Sequence, residues 1–100
     1  MRISEMQAEA FDHVKKAGFL EGFFCGDVWW QLGQLAMVAE DVGKAVQAVR
    51  DCEDLGPELA GIILRVGVIA TGLCIDLDEE VEKKIEYNRT RPHRHGGKRA

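Results

Sequence analysis

Apolar residues between positions 28 and 49 recur at alternating intervals of four and three: Val28, Leu32, Leu35, Ala39, Val42, Val46 and Val49. Val28, Leu35, Val42 and Val49 form one seven-residue row, and Leu32, Ala39 and Val46 form another. Together they give a period near 3.5, which suits a helix packed in a bundle. The pattern predicts one long helix from an Asp27 N-cap to about Cys52. A polar turn over 51–56 follows, and Pro57 sits where the first turn of the next helix should begin. That helix, about 57–71, is apolar nearly all round through Leu59, Ile62, Ile63, Leu64, Val66, Val68 and Ile69. A helix of that kind is buried on most sides. A chain this short has difficulty covering it, so a homo-oligomer is expected, most simply a dimer. The β-branched run over 62–66 could also form a strand, but the length of the apolar segment and its proline start favour a helix.

Two shorter helices flank this pair. Ser4 and Gln7 have the spacing of a capping box, and residues 5–17 carry Phe11 and Val14 on one face, with Gly18 as a stop. Residues 18–27 place Gly18, Gly22 and Gly26 among Phe19, Leu20, Phe23 and Phe24, a connection too apolar for a solvated linker and expected to fold over the core or a pocket. At the other end, Asp76-Leu-Asp-Glu79 is a second capping-box spacing. It opens a helix over 77–88 with Val81 and Ile85 facing inward; Pro92 and Gly96-Gly97 keep it from running on. The expected fold is all-α, four helices in a single domain over 1–100, with a basic tail from 89 to 100.

Composition narrows the function classes. The chain has 100 residues, 46% hydrophobic and 30% charged, which marks a globular domain. A net charge of -4 gives no case for nucleic-acid binding. The tail runs the other way: Arg89, Arg91, Arg94, Lys98 and Arg99 with His93 and His95, and no acid. Cys25, Cys52 and Cys74 are odd in number and fit no zinc spacing, so reduced, mostly packed thiols are expected. No segment is apolar enough to span a bilayer, and the N-terminus shows no signal-peptide core. A cytoplasmic protein without membrane contact is the expectation.

Candidate chemistry lies on the two long helices. In Asp41-Val-Gly-Lys44 and Glu58-Leu-Ala-Gly61, positions i and i+3 share a helix face. Acids at all four would build a cage for a hard cation such as Mg²⁺. Only Asp41 and Glu58 are acidic. On the fourth helix, Lys84 and Asn88 share a face, an arrangement that makes sense if the ligand is a metal-bound phosphate.

These segments resemble the MazG-like nucleotide pyrophosphohydrolases of the all-α NTP pyrophosphatase superfamily. Glu40-Asp-Val-Gly-Lys-Ala45 is similar to a family stretch reading E-E-x-G-E-x, and Glu58-Leu-Ala-Gly61-Ile-Ile-Leu-Arg65 to one reading E-L-A-D-x-x-x-R. Ala17-Gly-Phe19 is similar to the family's approach to the active-site loop. Ile75-Asp-Leu-Asp-Glu, with Lys84-Ile-Glu-Tyr-Asn88 and the tail through Lys98, resembles the C-terminal end of bacterial members. The likeness spans about 15–98. It implies a helical bundle assembled as a homodimer or homotetramer, and Mg²⁺-dependent hydrolysis of a nucleoside triphosphate to a monophosphate and pyrophosphate. In that scheme Asp41 and Glu58 are metal ligands, Lys84 joins them in catalysis, and Lys84, Asn88 and Arg91 bind substrate. Trp29 or, by preference, Trp30 stacks on the base.

The chain departs from the family where it matters most. Lys44 and Gly61 stand where acids are expected, and Val68 where close bacterial relatives often carry one. Weak or absent catalysis is therefore expected, with Lys44 placing its ammonium against Asp41 and Glu58 where the family places metal. Three classes follow: a weakened pyrophosphohydrolase, a non-catalytic nucleotide-binding or regulatory relative, and a structural oligomerisation module.

Overall fold

The computed structural model describes residues 2–16 and 27–91. Four helices form there, α1 (Ile3–Lys16), α2 (Val28–Arg50), α3 (Gly56–Gly72) and α4 (Leu77–Thr90), and no strand occurs among the described residues. The 62–66 run is helical, as its length implied. The aromatic 18–26 connection, with Cys25, and most of the basic tail lie outside the described residues, apart from Arg89, Thr90 and Arg91.

Helix α3 is the centre of the fold. Helices α1 and α2 both pack on it, whereas α4 leans on α1 after a 110° bend from α3. The core between these helices is made of small side chains: Ala10, Ala45, Ala48, Val68 and Ala70 are buried. The reason is visible at Gly67. A Cβ built there would lie 3.0 Å from the Gln7 Cα and 3.2 Å from the Met6 sulfur, so α1 and α3 approach as closely as glycine allows. Close approach leaves little room between helices for large side chains, and these spread over the outside instead. Val81 and Ile85, expected to point inward, are both exposed, because α4 buries no residue at all. Cα atoms spread to a radius of gyration of 15.9 Å, against about 13 Å for a compact domain of this length.

The capping residues act in ways that local spacing does not reveal. Asp76 caps α4 as expected, accepting from the Asp78 and Glu79 amides at 3.0 and 3.4 Å. Ser4 does not cap α1, since the helix begins one residue earlier and the Ser4 amide donates to Asp78 of α4 at 3.2 Å. The Ser4 hydroxyl, together with that amide, holds the Asp78 carboxyl below its ordinary range. In return, Oε1 of Gln7 in α1 accepts the Leu77 amide, the first of α4, at 3.0 Å. Each helix thus satisfies an otherwise orphaned N-terminal amide of the other.

The two long helices end alike. The Glu53 amide donates to Ala48 O and the Ile75 amide to Ala70 O, both at 2.8 Å, which closes a Schellman turn after α2 and after α3. The residue that must turn left-handed is a cysteine in each, Cys52 at φ 56° and Cys74 at φ 58°. Both thiols are free and exposed, contrary to the packed thiols expected from composition. A side chain in this conformation costs about 1–2 kcal/mol that glycine avoids. Cys52→Gly and Cys74→Gly should each stabilise the protein by about 1 kcal/mol, read as a higher urea midpoint at unchanged slope.

Among the described residues no single helix is long and apolar enough to cross a membrane.

Candidate functional site

Asp41 lies on the face of α2 that meets α3, in register with the buried Ala45 and Ala48 one and two turns on. Its side chain is only 16% exposed, and its Oδ2 accepts from Nε of Arg65 on α3 at 3.0 Å. Arg65 also points a guanidinium nitrogen at the Met37 sulfur, 3.7 Å away. This ion pair joins the two helices at the centre of the candidate site. Arg65 stands four residues beyond Gly61, so the two share a helix face. That spacing was readable in the sequence, but the pairing with Asp41 depends on how the hairpin aligns.

Lys44 does not turn toward Asp41. Its Nζ lies 3.9 Å from Glu40 one turn back, with both side chains well exposed. The expected neutralisation of the pocket by Lys44 is therefore corrected: Arg65 supplies the positive charge to Asp41. The reason is reach. Arg65 approaches from the facing helix into the packed layer, while Lys44 leaves α2 on its outer side. Glu58 is half-buried in the first turn of α3, where the helix dipole favours an acid.

Gly61 has no packing role: a Cβ built there meets nothing within 4 Å. It lines an open groove of about 410 Å³ between α1 and α3, walled by Ala10, Val14, Leu64 and Val68, with Glu9, His13 and Arg65 as its polar members. A side chain at 61 has space to enter that groove.

Lys84 and Asn88, expected on the phosphate side, are not brought to this region within one chain. Helix α4 contacts α1 rather than the α2–α3 pair, and Lys84 and Asn88 are exposed on it. Lys84 stands one turn beyond Glu80 but does not pair with it. Its Nζ lies 5.0 Å from the Tyr87 ring centre, and Lys83 takes Glu79 at 3.0 Å and Glu80 at 3.8 Å. Arg91 stacks on the same Tyr87 ring at 5.4 Å. Tyr87, flanked by two cations at i-3 and i+4, is the feature of α4 that the sequence reading missed. Trp29 is 81% exposed and Trp30 half-buried at the start of α2.

A near-octahedral Mg²⁺ needs several hard oxygen ligands. Among the described residues no three His, Cys, Asp or Glu side chains converge as a metal site. Asp41 is tied to a guanidinium, position 44 is cationic and position 61 has no side chain, so the donors of one chain do not fit the ion. Tested against known proteins, the chain matches no protein-family model, no curated protein and no solved structure.

Proposed function

We propose that this chain is a non-catalytic MazG-like protein, a helical bundle completed by homo-oligomerisation, that binds nucleoside triphosphates without hydrolysing them. The observation that carries this reading is the 3.0 Å Asp41–Arg65 ion pair. It fills with protein charge the position where a hydrolase of this kind would hold metal. With Arg65 bound to it, the Asp41 carboxylate is already neutralised and is a poor ligand for Mg²⁺. The many exposed large apolar side chains on α2 and α3 favour a second reading, a structural oligomerisation module without a ligand.

Titration with nucleotides and Mg²⁺, followed by thermal stability and pyrophosphate release, separates these. Nucleotide-induced stabilisation without turnover is the expected result. Turnover by the natural chain would restore the enzyme reading, and no response at all would leave the structural module. The lapsed site has its own test. Lys44→Glu with Gly61→Asp should raise Mg²⁺ affinity at least about tenfold, or 1.4 kcal/mol, and bring metal-dependent pyrophosphate release. Should the double variant neither bind metal nor hydrolyse nucleotide, the lapsed-site reading fails.

A further inference from the structure

Helix α2 has two faces, and the more apolar one is uncovered. The covered face carries Gln31, Gln34, Val38, Asp41, Ala45 and Ala48, each buried or half-buried. The seven positions of the heptad pattern, from Val28 to Val49, all lie on the other face and all are exposed: Val28 is 60%, Leu35 55% and Val49 60% accessible. A 4-3-4-3-4-3 spacing is the seam of a coiled coil, and over this span it runs about 33 Å. The positions beside the seam are Trp29, Ala36 and Gly43 on one side and Gln31, Val38 and Ala45 on the other. Arg50, next to Val49 on the Trp29 side, is the single charged residue among the flanking positions, and it sits at the very end of α2. The exposed pair Glu40 and Lys44 lies away from the seam.

We infer that this seam is where a second copy of the chain docks, α2 against α2, with the two helices antiparallel. Three features specify the partner and its direction. Ala39, the only small seam residue, is fourth of seven, so a two-fold axis beside it sets small against small with larger side chains on both flanks. Asp27 caps the N-terminus of α2 and Arg50 is its last residue. Antiparallel pairing puts Asp27 of each copy near Arg50 of the other, whereas parallel pairing puts like charges together. The helix dipoles also oppose one another only in the antiparallel arrangement. This inference rests on the homo-oligomer of the preceding reading and adds its surface and orientation.

The test has two arms. First, light scattering gives the mass of the natural chain and of Leu35→Glu and Val42→Glu at micromolar concentration. The seam predicts an oligomer whose association is weakened at least about a hundredfold by either change, because each interface buries the new carboxylate twice. Both side chains are exposed in the single chain, so far-ultraviolet circular dichroism should remain helical. Second, the photo-cross-linker benzoylphenylalanine replaces Val28, and adducts between copies are mapped by mass spectrometry. Cross-links to residues 46–52 are expected. Cross-links near position 28 would overturn the antiparallel arrangement. An oligomer that survives Leu35→Glu and Val42→Glu would overturn the seam while leaving the homo-oligomer standing. A monomeric natural chain would overturn both.

Discussion

Gln7→Leu should destabilise the protein by about 3 kcal/mol and lower its melting temperature by about 10–20 °C. Gln7 is the one buried polar side chain among the described residues. Both amide hydrogens and the amide oxygen are engaged: Nε2 donates to Thr71 Oγ1 at 3.2 Å and to Ile75 O at 2.7 Å, while Oε1 accepts from the Leu77 amide at 3.0 Å. Thr71 returns a bond from its hydroxyl to the Gln7 carbonyl at 3.0 Å. One side chain therefore holds the end of α3, the linker and the start of α4 against α1, across more than sixty residues of sequence. Leucine keeps the volume but leaves the Ile75 carbonyl and the Leu77 amide without these partners, and takes from the Thr71 hydroxyl one of its two bonds. Unmet groups of this kind cost about 1–3 kcal/mol each when buried, and partial access to water trims the sum. Calorimetry measures the loss, and amide exchange at Leu77 should accelerate with it. A variant melting within a few degrees of the natural chain would show that the clamp contributes little.

The glycines make the second large prediction, because two in the same helix should respond in opposite directions. Gly67→Val should destabilise by about 3 kcal/mol, since its Cβ would meet the Gln7 backbone at 3.0 Å and α1 must move to admit it. Gly67→Ala should be milder, because alanine regains up to about 1 kcal/mol of helix propensity against the same clash. Gly61→Ala has no clash and should stabilise by about 0.5–1 kcal/mol. Chemical denaturation of the three variants decides the point. If Gly67→Ala were as stabilising as Gly61→Ala, the close approach of α1 and α3 would not be what glycine serves at position 67. The contrast also bears on the groove: Gly61 is dispensable for packing, so a side chain can be introduced there without disturbing the fold.

The element pattern was legible because it depends on near neighbours. Helix period, the Asp27 and Asp76 caps and the proline at the start of α3 are set within one or two turns, and all appear in the structure. Ser4 and Gln7 show where this reasoning stops. Their spacing satisfied a local capping rule, yet their bonds go to a helix more than sixty residues away. Helical spacing alone also leaves choices open: Lys44 takes Glu40 at i-4 and not Asp41 at i-3, and Lys84 sits over the Tyr87 ring, not beside Glu80.

By itself the sequence determined that the chain is all-α, where its four helices lie, and that of positions 41, 44, 58 and 61 only Asp41 and Glu58 are acidic. Those are properties of residue identity and of short-range spacing. Tertiary structure decided which charge meets Asp41, which glycine is required for packing, and which face of each helix is left uncovered. The heptad row of α2 is the clearest instance. Its period announces that it must be covered but does not say by what. That answer depends on the close packing of α1 and α2 on α3, which fills the core with small side chains and leaves the seam outside.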